Sequence, residues 1–140
     1  MKEIIRENID NLPYSLHDAR VNRLKFKSEK LTLYFKNGYF KLIDNDDLPV
    51  CGHIEIDGVD PDYCAIYLID RARDHGVFKG KKYRLKKFIK RHPVINFEII
   101  YETYGYNQSR FSGFFYHGKK IKECTLAIYH FGPMTYVTEE

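Results

Sequence analysis

The 140-residue sequence lacks the patterns of a membrane protein, of a secreted protein and of a disulfide-rich protein. No run approaches 18 consecutive apolar residues, which excludes a transmembrane helix. The first seven residues mix charges where a secretory signal would need an apolar stretch. Three widely spaced cysteines cannot build a disulfide framework, so reduced thiols in the cytoplasm are the simpler expectation. Because this length suits one hydrophobic core, we expect a single globular domain over residues 1–140.

Motifs that carry well-known chemistry are missing as well. The chain has no Gly-rich phosphate loop, no nucleophile elbow and no H-E-x-x-H helix. Cys51 and His53 would share one face of a strand, with Cys64 further along, but no paired-ligand motif accompanies them. We therefore expect Cys51 and Cys64 to be free thiols, with Cys64 buried, and we predict no metal and no other cofactor.

Aromatic residues are abundant, since 12 Tyr and 10 Phe stand beside no Trp. This bias favours half-buried strands, and alternating apolar patterns predict seven to nine of them. The broken alternation between Val21 and Leu24 predicts a β-bulge. Over 94–104, strict alternation would place Ile99 and Tyr101 on the same side of a long strand.

Three strands at 19–27, 31–35 and 39–43 are expected to form a meander, with a tight Asn-Gly turn before the third. The acidic run that follows, Asp44–Pro49, has the composition of a loop. Near the end of the chain, Met134–Val137 is expected to add a final edge strand.

Two segments show helical rather than strand periodicity. Apolar residues at helical spacing predict an N-terminal helix over Lys2–Leu12. A narrower stripe, formed by Leu85, Phe88 and Ile89, predicts a second helix over 81–91. The predicted fold class is therefore α+β and strand-dominated, with a mainly antiparallel sheet that is sandwich-like or strongly curled.

Charge is distributed unevenly, although the formal net charge is only +4. Residues 71–91 contain ten Lys or Arg against one acid, Asp74, so this segment carries +9 and the remainder carries −5. Seven acids and no Lys or Arg lie within 44–62. Either these two segments neutralise one another across the fold, or the basic segment attracts an anionic partner.

Two groups of residues are candidates for binding a partner. Basic residues interleaved with aromatics can contact phosphates, or they can be the solvated face of an amphipathic helix. Tyrosines around a predicted hairpin tip, Tyr101 and Tyr116 among them, have the composition of a protein-binding surface. The candidate partner-binding residues are Lys82, Arg84, Lys86, Lys87, Lys90, Arg91, Tyr104, Tyr106 and Arg110. Of these, Lys82, Lys86 and Lys90 are expected to share one helix face.

His17 and Asp18 are weak candidates for a catalytic site. A histidine can act as acid or base while a carboxylate orients it. On an extended chain, however, adjacent side chains point to opposite sides. We therefore expect no dyad, and instead local hydrogen bonds from both residues at the entry to a strand.

The run Leu16-His17-Asp18-Ala19-Arg20-Val21, followed by the strand Leu31-Thr32-Leu33, resembles the opening of small β-rich bacterial domains of uncharacterised function. Some of those domains are immunity proteins of polymorphic toxin systems. The resemblance covers only this opening and transfers no catalytic residue. It implies a compact bacterial cytoplasmic protein that acts by binding a partner.

Together these observations predict a non-enzymatic, macromolecule-binding protein of bacterial type, with an immunity or regulatory role and a protein as its first partner. A nucleic-acid-associated protein that uses the basic segment 71–91 is the alternative. An enzyme with His17 in its site is the third possibility. Membrane docking is not expected, because the apolar stripe of the second predicted helix is needed to anchor that helix on the sheet.

Overall fold

The computed structural model describes residues 1–73 and 77–140, and its backbone is mostly strand. Thirteen strands follow in the order β1 Lys2–Ile5, β2 Tyr14–Ser15, β3 Arg20–Lys27, β4 Lys30–Phe35, β5 Tyr39–Ile43, β6 Asp46–Val50, β7 Gly52–Ile56, β8 Ala65–Arg73, β9 Val77–Arg84, β10 Phe97–Gly105, β11 Gln108–His117, β12 Lys120–Tyr129 and β13 Met134–Thr138. Within the described ranges, the helical elements are a 3₁₀ turn at Pro61–Tyr63 and one α-helix, α1, at Leu85–Arg91.

The strands form two antiparallel sheets. The large sheet has ten strands in the order β1-β13-β7-β4-β3-β10-β11-β12-β8-β9, and the small sheet has the order β2-β5-β6. The α+β prediction with two helices is therefore wrong, since the described chain is a mostly-β fold with one short α-helix. The predicted number of strands is too low, because short segments without clear alternation also pair.

The large sheet curls around α1. This helix contacts β3 as well as β8 and β9, although β10, β11 and β12 lie between β3 and β8 in the sheet. In a flat sheet, β3 and β8 would be about 19 Å apart, which is more than the roughly 10–12 Å diameter of a helix with its side chains. Leu85 and Phe88 are buried in the concave side, where the Phe88 ring lies 6.0 Å from that of Phe115.

The small sheet covers the other half of the core through tyrosines. Tyr14 of β2 and Tyr39 of β5 are buried against Tyr136 of β13, with ring centroids 4.8 and 6.0 Å away from it. The Tyr39 hydroxyl donates to the carbonyl of His53 at 3.0 Å, and the Tyr14 hydroxyl donates to the Glu140 carboxylate at 2.6 Å. These hydrogen bonds join the two sheets and let large polar rings be buried.

The N-terminal segment is a strand, so the helix predicted over Lys2–Leu12 is wrong. Residues 2–5 pair with β13 in antiparallel register, with Lys2 opposite Thr138. Of the isoleucines that suggested a helical face, Ile4 packs against the core, whereas Ile5 and Ile9 are exposed. Pairing with a neighbouring strand satisfies the backbone groups that a short, poorly buried helix would have to satisfy alone.

The second predicted helix exists but begins four residues late. Residues 81–84 belong to β9, because Tyr83 pairs with Ile66 and packs against the core. The expectation that Lys82, Lys86 and Lys90 share a helix face is therefore wrong, since Lys82 lies on a strand.

Two further expectations about strands fail, and one holds. The third strand of the expected meander, β5, lies in the small sheet and pairs with residues 46–50, which the acidic composition had indicated as loop. The last strand lies between β1 and β7 rather than at an edge. The bulge predicted between Val21 and Leu24 is confirmed, because the register of β3 against β4 shifts between Val21 and Arg23.

Candidate interaction surface

The outer face of the large sheet, which points away from the core, carries aligned side chains over its last five strands. Residues of β10, β11, β12 and β8 alternate between buried and outward positions, and the pairing of β9 with β8 places Lys82 and Arg84 opposite outward residues. One row across these strands is Tyr101, Ser112, Thr125, Tyr67 and Lys82. The rows on either side are Phe114, Glu123 and Ile69, and Thr103, Arg110, Ala127, Ala65 and Arg84.

Aromatic side chains on this face are open to solvent. Tyr101 is 70% exposed and Phe114 is 38% exposed, and both line a hollow of about 260 Å³. The other side chains around this hollow belong mainly to small or aliphatic residues. We call the outward side chains the outer patch; it comprises Ile69, Ile100, Tyr101, Ser112, Phe114 and Thr125. Gly113, Cys124 and the charged residue Glu123 also line the hollow. Such a hollow on an otherwise regular sheet face is the kind of feature into which a partner inserts a side chain.

A bulge in β10 creates the hollow. The register against β11 shifts between Ile99 and Tyr101, so that Tyr101 turns outward. Gly113 on β11 makes room for the bulged backbone, because a Cβ at this position would lie 1.8 Å from the carbonyl oxygen of Glu98. The next outward residue, Ser112, is small, and its hydroxyl is 3.0 Å from that of Thr125, so no large side chain fills the space.

Three predicted partner-binding cations flank the outer patch. Lys82, Arg84 and Arg110 are exposed and point to the same outer face. Arg110 and Arg84 stand in one row, three strands apart, which places their backbones about 14 Å from one another. Within residues 1–73 and 77–140, no carboxylate forms an ion pair with any of the three.

The acidic segment does not neutralise these cations in the part of the chain that the structure describes. Glu55 and Asp57 approach Lys30 instead, at 3.3 and 3.8 Å. Asp62 shares a hollow with Arg84 but is not within ion-pair distance of it among the described contacts. Among the described side chains, the acidic segment therefore leaves Lys82 and Arg84 without an ion-pair partner.

The other predicted cations lie on α1. All four are exposed, since Leu85 and Phe88 supply the buried side of this short helix: Lys86, Lys87, Lys90 and Arg91. Lys86 and Lys87 line the same hollow as Arg84, which makes the helix and the end of β9 one continuous basic border.

Tyr104 is partly buried rather than open to solvent, and its assignment to partner binding stays a prediction. It lies on the inner side of β10, where its hydroxyl donates to Glu102 at 2.8 Å and the Arg6 guanidinium stacks on its ring at 4.1 Å. Burial raises the pKa of Glu102 above its usual value, although hydrogen bonds from the Leu16 N–H and from the Tyr104 hydroxyl partly offset this increase. By contrast, Tyr106 is 93% exposed at the turn after β10.

His17 and Asp18 do form a pair, contrary to our expectation. The chain is not extended at this point, since Asp18 has a φ of 68° in a turn before β3. His17 Nε2 lies 3.5 Å from the Asp18 carboxylate, and Nδ1 is 2.8 Å from the carbonyl of Ile100 on β10. The ring's hydrogen bond is therefore long-range rather than local. Both side chains are more than half exposed, at 59% and 58%, so they do not form an enclosed catalytic site.

A second pair with catalytic atom types, Ser109 and His130, has no counterpart among the predicted residues. The Ser109 hydroxyl is 2.7 Å from Nε2 of His130, whose Nδ1 is 2.8 Å from the carbonyl of Gly132. Ser109 is fully buried and His130 is 5% exposed. Because substrate cannot reach this hydroxyl, the pair satisfies buried polar groups and ties β11 to the end of β12. The two residues are 21 positions apart, so no local motif marks them.

The cysteines do not gather into a metal site. Cys51 is exposed and Cys64 is buried, as predicted for Cys64, and Cys64 accepts a hydrogen bond from the Tyr129 N–H at 3.2 Å. In the described residues, no group of three or more His, Cys, Asp or Glu side chains is placed to hold a metal ion. None of the described helices is long and apolar enough to cross a membrane.

Comparison with known proteins does not assign the chain to a family. No protein-family model matches the sequence, and no curated protein or solved structure matches it significantly.

Proposed function

We propose that this chain is a non-enzymatic protein that acts by binding another protein through the outer patch. The observation that carries the proposal is the hollow between Tyr101 and Phe114, an exposed aromatic site on a rigid sheet flanked by arginines. Tyrosine, phenylalanine and arginine are enriched where proteins meet, and binding energy concentrates where an apolar group enters a pocket.

The composition of the face favours a protein over a nucleic acid. A phosphate backbone would require cations along its whole path, whereas Glu123 is exposed beside Phe114 in the same row. The centre of the face is apolar, and its arginines stand to one side. The exposed lysines of α1 favour the nucleic-acid alternative, which crosslinking to a nucleic acid would support.

An enzymatic role has less support. The His17–Asp18 pair is exposed on a turn, and the Ser109–His130 pair is buried. Neither lines the outer patch. A catalytic group must reach the reacting atoms of a bound substrate, and neither an exposed turn nor a buried pair encloses a substrate with its reacting groups.

The proposal extends to context. We place the protein in a bacterial cytoplasm, in an immunity or regulatory role, on the strength of the Leu16–Val21 resemblance and the unpaired thiols. A tight inhibitory complex would use the kind of exposed aromatic patch and charge asymmetry that the outer face presents.

Photo-crosslinking followed by reconstitution tests the proposal. Phe114 is replaced by the photoreactive analogue p-benzoylphenylalanine in the cells that make the protein, and the crosslinked protein is identified. That protein is then purified, and its affinity is measured for the unmodified chain, for Tyr101→Ser and for Ile5→Ser. Ile5 is the matched control, because it is 58% exposed and apolar at the opposite edge of the same sheet.

We expect a one-to-one complex that weakens about tenfold or more in Tyr101→Ser, the scale of a hot-spot truncation, and changes less than about twofold in Ile5→Ser. Equal effects of the two substitutions would show that the outer patch is not the binding site. Crosslinking to a nucleic acid, or to no macromolecule, would overturn the proposal.

A further inference from the structure

The hollow of the outer patch has the size for one side chain. Its volume of about 260 Å³ lies below the roughly 300–1,000 Å³ of cavities that hold small-molecule ligands. Ile69, Ile100 and Phe114 line it, so an apolar group is favoured, although Glu123 lines the hollow as well. Because the floor is backbone and small side chains of a hydrogen-bonded sheet, its shape is preorganised.

The charges around the hollow differ from one side to the other. The row on one side contains Arg110 and ends in Arg84, and Lys82 stands beside Arg84. On the other side, Glu123 is exposed next to Phe114. Glu98, further along the same row, is already engaged by Arg20 at 3.7 Å and by the Tyr116 hydroxyl at 2.9 Å. Among the described side chains, the exposed cations that flank the hollow without a carboxylate partner therefore lie on one side of it.

Guanidinium groups set the chemistry of that side. An arginine presents a planar fork of donors that matches a carboxylate, and it stays charged at any physiological pH. Rows of a sheet are two residues apart, or about 7 Å, so carboxylates one or two residues away from a side chain in the hollow can reach the arginines.

We infer that the partner is an acidic protein segment, which inserts one apolar side chain into the hollow and places carboxylates on Arg84 and Arg110, away from Glu123. The inference rests on the protein-binding function proposed above and names the chemistry of its partner. Charge complementarity supports this inference, because Lys82, Arg84 and Arg110 have no carboxylate partner among the described residues and stand beside the hollow.

Selection from a phage-displayed library of short random peptides tests this chemistry while the natural partner is still unidentified. The library is panned on the purified full chain and, in parallel, on the double variant Arg84→Glu, Arg110→Glu. We expect the unmodified chain to select peptides with clustered Asp or Glu beside one Leu, Ile or Phe. The double variant should lose this acidic enrichment.

One selected peptide is then titrated over a salt series against the unmodified chain, Arg110→Gln and Arg23→Gln. Arg23 is the matched control, because it is an exposed arginine on β3, where it stacks over Tyr34. We expect affinity to fall with salt, to drop about tenfold in Arg110→Gln and to stay within about twofold in Arg23→Gln.

The outcomes separate the two proposals. Selected peptides that bind through Tyr101 but show no acidic enrichment would overturn this inference and leave the protein-binding function standing. Selected peptides whose binding is unaffected by Tyr101→Ser would contradict both. A short DNA duplex that binds the chain more tightly than the selected peptide, with the same dependence on Arg110, would replace the acidic segment with a nucleic acid.

Discussion

Gly113→Ala should be among the most destabilising single-methyl changes in this protein. A Cβ at Gly113 would lie 1.8 Å from the Glu98 carbonyl oxygen and 2.9 Å from the Glu98 carbonyl carbon, both of them backbone atoms of β10. Reaching even 3.0 Å, which real Cβ contacts essentially never undercut, requires the two strands to separate locally by 1.2 Å. A strand cannot move that far without loss of ladder hydrogen bonds.

The size of the effect follows from two contributions. Overpacking a well-packed region costs about 1–3 kcal/mol, and each weakened backbone hydrogen bond adds about 1 kcal/mol. We therefore expect the free energy of unfolding to fall by about 3 kcal/mol. With a urea m-value of about 2 kcal/mol per M, the unfolding midpoint should fall by about 1.5 M.

Gly105→Ala is the matched control for this experiment. Gly105 ends the same strand, β10, and a Cβ there meets no atom within 4 Å. Its substitution should be neutral, or stabilising by up to about 1 kcal/mol through the unfolded chain. The reasoning is refuted if the free energy of unfolding of Gly113→Ala lies within about 0.5 kcal/mol of that of the unmodified protein. It is also refuted if the two alanine substitutions lower the free energy of unfolding equally.

Three further predictions concern stability. Hydrogen bonds from the side chains of Lys41, Thr138 and Tyr14 lower the pKa of Glu140 to about 2. The ionised carboxylate should therefore stabilise the folded protein at neutral pH, and this contribution should be lost as pH falls from about 4.5 towards 2. Urea midpoints of Glu140→Gln should therefore lie below those of the unmodified protein at pH 7 and converge with them in strong acid. Ser109→Ala should cost about 1–3 kcal/mol in thermal unfolding, because it leaves a buried histidine nitrogen unpaired, and unchanged stability would contradict that role. Asp18→Ala should lower the free energy of unfolding by about 1 kcal/mol, and Asp18→Gly should lower it by less, because glycine adopts the φ of 68° at this position without strain. If urea unfolding shows the reverse order, strain in this turn is not the cause.

The predictions that succeeded depend on local patterns, and those that failed depend on distant partners. The β3 bulge was visible because Val21 and Leu24 must both face the core within a few residues. The strand at the N-terminus was not visible, because its partner Thr138 lies at the far end of the chain. Likewise, residues 81–84 look helical alone and become strand only because Tyr83 packs beside Ile66. Tertiary pairing overrides local periodicity in both cases.

A single extra residue in β10 explains why the sequence, which named Tyr101, Arg84 and Arg110 as candidates, could not show that they share one face. Strict alternation would keep Tyr101 on the side of Ile99, facing the core, and would leave Tyr104 on the outer face. The bulge between Ile99 and Tyr101 reverses every later position, so Tyr101 becomes exposed and Tyr104 becomes partly buried against the core. Ile99, Ile100 and Tyr101 are all apolar or aromatic, so no polar residue marks the shift in the pattern. The same reversal aligns Tyr101 with the register that runs unbroken to Lys82, and it thereby assembles the outer patch beside the arginines.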